Sequence, residues 1–227
     1  MITSINQPHY LPYIGYFTMI ANCDSFVFHD DVDFIKGEWK NRNRIRMNKK
    51  SNEVRFITVP IQKQKEKKIN KLLISYEKNW IKDHINKIKN TYSTETYFKD
   101  VIKILNDIYD QKPTYLGELN IKLILKILKY FDIKTKIFYS SSFNSNLKKT
   151  DKLVLLCEKL SSKIYIANNR SRNYIEPKKF EKKNIELKYQ NYKHPTYKQN
   201  KNKFLPFLSI VDLIAYHGKK GERFFYV

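Results

Sequence analysis

The sequence has only two cysteines, no glycine-rich nucleotide motif and, in its first 35 residues, no lysine or arginine. Cys23 and Cys157 form no CxxC pair, which excludes a disulfide framework and indicates a reducing compartment. The five histidines and two cysteines lack the spacing of zinc ligands, so no metal site is predicted from them. The Walker, GxGxxG and GxSxG motifs are absent, which argues against the P-loop, dinucleotide and α/β-hydrolase sites that they build.

Long apolar runs are also missing from the chain. No stretch approaches the roughly 18 consecutive apolar residues of a membrane span. The N-terminus has neither the charged start nor the long apolar core of a signal peptide. We therefore expect a cytoplasmic protein without a membrane span, although its charge would let it sit on an anionic membrane face.

Positive charge is what the chain has in excess. It carries 44 Lys and Arg against 22 Asp and Glu, a formal charge of +22. Such a surface attracts polyanions such as RNA, nucleotide diphosphates or an acidic carrier. The alternative is compositional drift, because lysine is spread through every segment. A hydrophobic content of 41% over 227 residues is enough for one globular core, so we expect a single domain over 1–227.

Strand and helix patterns alternate along the chain. Strands are predicted at 2–6, 25–32, 54–61, 134–142, 163–168 and 185–189. Helices are predicted at 13–22, through the middle of the chain, from a Thr150 cap onward, and before Gly218 from a capping box of Ser209 and Asp212. The pattern predicts an α/β fold with a mainly parallel sheet flanked by helices, and a helical insertion at 78–130.

The loop after the first strand, QPHYLP (7–12), contains two prolines that make it stiff. Open α/β sheets bind ligands at the carboxyl ends of their strands, so Gln7 and His9 are candidate site residues. The loop weakly resembles the His-containing loop of nucleotidylyltransferases, although the HxGH spacing is missing. The alternative is a rigid core loop without a functional role.

Acidic and basic clusters follow. His29, Asp30, Asp31 and Asp33 come after the second strand, where they could hold Mg²⁺ or serve as a base, or merely neutralise nearby arginines. In WKNRNRIR, strand alternation would place Lys40, Arg42, Arg44 and Arg46 on one face, as a clamp for a diphosphate or an RNA backbone. Pairing of these arginines with the same aspartates is the alternative.

The last cluster, YKHPTYKQ (192–199), places His194 beside two tyrosines and a proline. A preset loop of this kind could present an imidazole for proton transfer, and a packed aromatic corner is the alternative. His84 and His217 fall on helices and are predicted to be structural. The four clusters are predicted to line one cavity, although about 150 residues separate the ends of the set.

These motifs together resemble the WbqC-like protein family. The resemblance rests on QPHYLPYIGYF, DDVDF, WKNRNRI, the helix from Trp80 to Tyr92, Tyr174, and HPTYKQ followed by FLPFLSIVDL. The segment before Tyr174, expected to be glycine-rich, reads ANNRSRNY here, which departs from the family pattern. The resemblance implies a role in bacterial O-antigen or surface-polysaccharide biosynthesis, in which some members have been proposed to be glycine transferases acting on amino sugars.

The leading hypothesis is a transferase that attaches an aminoacyl group, such as glycyl, to the amine of a nucleotide-linked amino sugar. His9 or His194 would deprotonate the amine, with Asp31 as a helper or metal ligand, and Arg42 and Arg44 would bind the diphosphate. The remaining predicted substrate-binding residues are Gln7, Tyr10, Asn41, Asn43, Tyr174, Tyr197 and Gln199.

No cofactor is identified from the sequence, and the acyl donor stays open. An aminoacyl-tRNA, an adenylate made from ATP and Mg²⁺, or a carrier thioester would each serve, and the positive charge favours tRNA. Other glycan-biosynthesis enzymes are expected partners. Two alternatives remain: an enzyme like the nucleotidylyl- or adenylyl-transferases, and a non-enzymatic basic module that binds RNA or partner proteins.

Overall fold

A computed structural model describes residues 1–199 and 203–226. A five-stranded sheet, with every neighbouring pair parallel, forms its centre in the order β5-β2-β1-β6-β7. The strands in chain order are β1 (Ile2–Asn6), β2 (Ser25–Phe28), β3 (Arg42–Arg46), β4 (Val54–Thr58), β5 (Lys136–Tyr139), β6 (Ile164–Ala167) and β7 (Glu186–Tyr189). The predicted α/β class with a mainly parallel sheet is confirmed.

Helices cover both faces of this sheet. They are α1 (Ile14–Ala21), α2 (Trp80–Tyr92), α3 (Phe98–Tyr109), α4 (Leu116–Tyr130), α5 (Lys149–Lys159), α6 (Pro177–Glu181) and α7 (Ile210–His217). On β2, Phe26 and Phe28 pack into the core of α1, α3, α4 and α7, whereas Val27 faces the smaller core of α5 and α6. Burial on both faces explains why Phe26, Val27 and Phe28 form an unbroken apolar run rather than alternating with polar residues.

The chain between β4 and β5 is mainly helical, as the sequence predicted. The apolar positions of α2, α3 and α4 recur at helical spacing, and their buried side chains join the larger core. Helix α3 packs against both α4 and α7. The three helices therefore share one core with the sheet and the C-terminal helix.

The strand predicted at 54–61 needs a correction in its placement. Strand β4 does not join the parallel sheet, since it pairs antiparallel with β3 in a separate two-stranded ribbon. Arg44 lies opposite Phe56, and Ile45 lies opposite Arg55. The ribbon therefore has one face that packs on the core through Ile45 and Ile57, and one outer face that carries Arg42, Arg44 and Phe56.

The predicted ends of α7 are confirmed in part. Ser209 caps α7 by accepting a hydrogen bond from the Val211 amide, and Gly218 ends it with a positive φ of 54°. The predicted capping box is wrong at Asp212, because its carboxylate bonds to Tyr197 and other buried groups and the Ser209 amide donates to the Arg44 carbonyl. The predicted Thr150 cap is also wrong. Helix α5 begins one residue before Thr150, which is buried and bonds instead to the backbone of Glu176 at 3.2 Å.

Candidate functional site

The order of the sheet reverses at β1. The strands β2 and β5, which follow first in the chain, lie on one side of β1, and β6 and β7 lie on its other side. The loops that leave β1 and β6 therefore diverge, and ligands of open α/β sheets bind in the opening between them. We call the region between the loops 7–13 and 168–174 the switch-point crevice. The rigid QPHYLP loop and the segment ANNRSRNY meet there.

His9 occupies this position at the end of β1. Burial lowers the pKa of His9 to about 3, and the positive charges of Lys40 and Arg170 act in the same direction. Its ring packs on Tyr16 at 5.3 Å between centroids. The imidazole is therefore neutral at physiological pH and can accept a hydrogen bond, whereas these surroundings disfavour its protonated form.

The QPHYLP loop is held by two buried asparagines. Asn43 donates to the carbonyls of Tyr10 at 3.1 Å and Leu11 at 2.9 Å. Asn120, within α4, donates to the carbonyls of Pro8 at 2.9 Å and Lys40 at 2.6 Å. These bonds fix the backbone on both sides of His9, so Asn43 is a positioning residue in this structure.

Tyr10 and Asn41 also have structural surroundings. Tyr10 is fully buried, and its hydroxyl bonds to His84 Nδ1 at 2.9 Å and to the Tyr109 hydroxyl. The Asn41 amide donates to the carbonyl of Val59 at 3.0 Å, which ties the ribbon together. Gln7 is partly exposed at the mouth of the loop, and its carbonyl accepts from Tyr16.

The ribbon supplies a row of alternating aromatic and cationic groups beside the crevice. Trp39 and Phe56 stack with centroids 6.1 Å apart and an angle of 27°. Arg42 lies over Phe56 at 4.6 Å, and Arg44 lies over Trp39 at 5.9 Å. Arg44 also donates to the carbonyl of Phe207 at 3.0 Å, so neither arginine bonds to the aspartates that the sequence offered as partners.

The loops after β7 and before α7 add an aromatic wall. Rings of Tyr13, Tyr192, His194 and Phe207 contact one another with centroid separations of 4.8 to 5.9 Å. Burial and the charge of Arg44 lower the pKa of His194, whose Nδ1 bonds to the Pro195 carbonyl. His194 Nε2 and the Tyr192 hydroxyl are buried without a hydrogen-bond partner among the described residues.

The segment ANNRSRNY forms the other side of the crevice. Asn168 caps a short 3₁₀ helix, Asn169–Asn173, by accepting from the Ser171 amide. Arg170 is exposed and near enough to influence the pKa of both His9 and Tyr13. Tyr174 is 55% exposed at the end of this segment. The structure therefore brings His9, Arg170 and the aromatic wall to one region.

Tyr197 and Gln199 do not reach the crevice as predicted substrate-binding residues would. Both are buried and bond to the carboxylate of Asp212, at 2.8 and 2.9 Å. Gln199 also accepts from Arg46 at 2.7 Å. Arg46 itself has no exposed surface, so the predicted strip of four outward cations is wrong at Arg46, and also at Lys40, which is buried beside Glu38.

The acidic cluster is separate from these loops. Asp31 forms an ion pair with Lys152 and accepts from Ser140. Asp30 accepts from the Ser141 amide at 3.0 Å and its hydroxyl at 2.7 Å. The cleft beside Asp31 is lined by residues of 68–71 and 141–146, and neither the QPHYLP loop nor the 192–199 loop lines it. All four clusters were predicted to line one cavity. Of the four, only the acidic cluster contributes a residue to this cleft.

Among residues 1–199 and 203–226, no three His, Cys, Asp or Glu side chains gather as metal ligands would. Asp31, one of the acids considered for Mg²⁺, has both carboxylate oxygens engaged by protein groups. In the same described part of the chain, no helix has the length and apolar character needed to cross a bilayer.

Comparison with known proteins places the geometry in context. A model of the WbqC-like protein family matches residues 7–224, which include every motif named above from the QPHYLP loop to the last helix. The chain belongs to this family. It is also 33% identical over 225 residues to the uncharacterized protein Rv1507c of Mycobacterium tuberculosis, covering 97% of this chain and 96% of that protein. No solved structure shows a significant match.

Sequence reasoning missed three residues of this WbqC-like site. Lys40 was expected on an outer cationic face, Arg170 lay in a segment noted only for its lack of glycine, and Asn120 was not considered. Asn120 did leave a signal, since it is a polar residue with no exposed surface within the apolar face of α4. A buried amide of this kind must have hydrogen-bond partners, and here they are the site loops.

Proposed function

We propose that this WbqC-like protein is a transferase of surface-glycan biosynthesis, which attaches an aminoacyl group such as glycyl to the amine of a nucleotide-linked amino sugar. The observation that supports it most is the neutral His9 at the switch point, beside the cations Lys40 and Arg170. Arg170 is exposed and can bind an anion, whereas Lys40 is buried against Glu38 and adds only to the local positive charge. An imidazole beside such a group suits a phosphate-bearing substrate with a proton to lose.

The surroundings of His9 favour a nucleotide sugar as the acceptor. The guanidinium groups of Arg44 and Arg170 can each hold a phosphate bidentately, with Arg42 at the outer end of the row. Trp39 offers a partly exposed ring for a nucleotide base. The unpartnered Tyr192 hydroxyl and His194 Nε2 are suited to hydrogen bonds with sugar hydroxyls, which would satisfy their buried polar atoms.

The reaction removes two protons from the nitrogen and transfers one acyl group. The ammonium first releases one proton to solvent, and His9 or His194 then takes the second proton as the amine nitrogen attacks the acyl carbonyl. The new C–N amide bond forms while the bond from the carbonyl to its activating oxygen or sulfur breaks, and the imidazole returns its proton to that leaving group. Burial is the main cause of the low pKa of His9, and the charges of Lys40 and Arg170 add to it. We expect bound diphosphate to offset these two charges and so raise the pKa of His9 by the part that they contribute.

The donor is one of three chemical classes: an aminoacyl-tRNA, an aminoacyl adenylate or a carrier thioester. The test incubates purified protein with UDP-glucosamine and each glycyl donor in turn, and follows the mass of the nucleotide sugar. We expect a gain of one glycyl residue with one donor. His9→Gln should abolish it, and the control His217→Gln, at the end of α7, should not. No mass gain with any donor overturns the proposal.

A second candidate is a nucleotidylyl- or adenylyl-transferase-like enzyme. It is favoured by the position of His9, which lies in the loop between β1, a strand of the parallel sheet, and α1. In such an enzyme, the phosphate of a sugar phosphate attacks the α-phosphate of a nucleoside triphosphate, and pyrophosphate is released. A pyrophosphate assay with ATP, CTP, GTP and UTP, each with a sugar phosphate, distinguishes it from the aminoacyl transferase, which releases none from a preformed donor.

A further inference from the structure

A cleft of about 360 Å³ opens at the carboxyl ends of β2 and β5, on the other side of β1 from the switch-point crevice. Its lining combines residues that follow β2, the turn Ile69–Lys71, and the segment after β5. The lining residues are Asp31, Lys68, Asn70, Lys71, Ser141, Asn144, Ser145 and Asn146. Every one of them is polar or charged, so the cleft is suited to a polar ligand.

The acid in this lining is already neutralised. Asp31 pairs with Lys152, whose side chain is 6% exposed, and the Asp31 side chain is itself only 16% exposed. Lys152 and Ser140 hold the pKa of Asp31 below its usual value, against the opposing effect of burial. Because both carboxylate oxygens have protein partners, the cleft does not attract a cation.

Net positive charge lies at the rim. Lys68 and Lys71 are exposed and flank Asn70, and no carboxylate lies within ion-pair distance of either in the described structure. Three acids lie near these lysines: Asp31 in the cleft, Asp33 across a β-bridge from Lys68, and Glu66. Glu66 accepts hydrogen bonds from the backbone amides of Lys67 and Lys68. The two ammonium groups therefore favour an anion at this end of the cleft.

A separate observation points to a ligand. The side-chain oxygen of Asn70 is buried and has no hydrogen-bond partner among the described residues, although its amide nitrogen reaches Asp30 at 3.5 Å. A buried acceptor without a donor is costly, and a ligand hydroxyl would supply the donor. Asn144, Ser145 and Asn146 place further amide and hydroxyl groups around the same space.

We propose that this cleft is a second ligand site, which binds a phosphorylated sugar. The phosphate would lie between Lys68 and Lys71, and the sugar hydroxyls would bond to Asn70 and Asn146. The volume falls within the usual range for small-molecule sites, about 300–1,000 Å³. The proposal does not depend on the transferase activity, because it rests on a different set of residues.

The test measures binding of glucose 6-phosphate, inorganic phosphate and glucose to the full-length protein by calorimetry. We expect saturable binding of glucose 6-phosphate, and weaker binding of both fragments. The double variant Lys68→Ala with Lys71→Ala should lose about ten- to a hundredfold in affinity. The matched control, Lys178→Ala on α6 with Lys182→Ala directly after it, removes the same charge from exposed positions and should bind as the wild type does.

A third variant separates sugar recognition from anion recognition. Asn146→Ala should weaken binding of glucose 6-phosphate several-fold and leave inorganic phosphate unaffected. Three results would each overturn the proposal: no saturable binding of glucose 6-phosphate, equal affinity for inorganic phosphate, or equal losses in the two lysine double variants. Retention of glucose 6-phosphate binding by the Lys68 and Lys71 variant would do so as well.

Discussion

The side-chain amide of Asn120 donates a 2.9 Å hydrogen bond to the carbonyl of Pro8, immediately before His9. The same amide bonds to the carbonyl of Lys40 at 2.6 Å. One buried side chain on α4 thus joins the loop that presents the imidazole to the loop that presents a cation. This contact fixes their separation without touching a ligand.

The first prediction concerns that amide. Asn120→Leu keeps a similar volume but leaves two buried carbonyls without donors, so it should lower the free energy of unfolding by about 2 kcal/mol. Asn120→Asp should cost more, since a carboxylate would face both carbonyl oxygens. Chemical denaturation measures both. Asn106→Leu, at an exposed position of α3, is the control and should change stability little. Equal stability of all the variants would contradict the role assigned to Asn120.

A second prediction separates the arginines of β3. Arg46 is fully buried and donates to Gln199 at 2.7 Å and to the Ser51 carbonyl at 2.6 Å. Arg46→Met leaves those acceptors, and the nearby Asp212, without a cation, so we expect a loss of about 3 kcal/mol. Arg44→Ala should cost less than about 1 kcal/mol, because Arg44 is only partly buried and its hydrogen bonds go to the carbonyls of Phe207 and Pro206. Similar melting temperatures for the two variants would refute this distinction.

The third prediction concerns pH. Burial lowers the pKa of His84 to about 4, from 6.5 in the unfolded chain. Between these values the unfolded chain binds a proton that the native state does not, so stability is complete above pH 6.5 and falls as the pH drops toward 4. His84→Gln should remove this dependence. The change in unfolding free energy between pH 7 and 4.5 should shrink by about 2 kcal/mol.

The comparison with wild type isolates His84 from other titrating groups. Burial lowers the pKa of His29 to about 4, which acts in the same direction. Burial raises the pKa of Asp212 to about 6, which acts in the opposite direction, because the native state then holds the extra proton. An unaltered pH dependence in His84→Gln would contradict the prediction.

The sequence predicted much of the sheet, because buried parallel strands are short apolar runs that stand out from a lysine-rich chain. The segment 2–6 agrees with β1 in both ends. The prediction for 25–32 runs past β2, which ends at Phe28, since the acids that follow bond to Ser140 and Ser141 instead of extending the strand. From the βαβ pattern, the carboxyl edge of the sheet was the expected place for ligands.

Burial of individual polar residues was not predictable in the same way. Strand alternation treats Arg42, Arg44 and Arg46 alike, although Arg46 alone is fully buried and bonds to Gln199. Asp31 depends on Lys152, which is 121 residues away in the chain. Such partners are set by tertiary packing, and no local pattern records them.

The central claim is that the switch-point crevice binds the nucleotide-linked sugar. Arg44 influences the pKa of His194, and Arg170 influences the pKa of His9, so each guanidinium lies near one of the two candidate bases. Both guanidinium groups are at the surface, so their loss should leave the fold intact. Arg223, exposed in the C-terminal 3₁₀ helix, gives a matched control for the loss of one charge.

The most direct measurement is the affinity for UDP-glucosamine of the wild type and of Arg44→Ala, Arg170→Ala and Arg223→Ala, with melting temperatures recorded on the same samples. The account predicts that affinity falls about ten- to a hundredfold in the first two variants, while the Arg223 variant binds as the wild type does. Arg44→Lys should restore it only in part, because an ammonium lacks the planar fork. Unchanged affinity in both Arg44→Ala and Arg170→Ala would contradict the account.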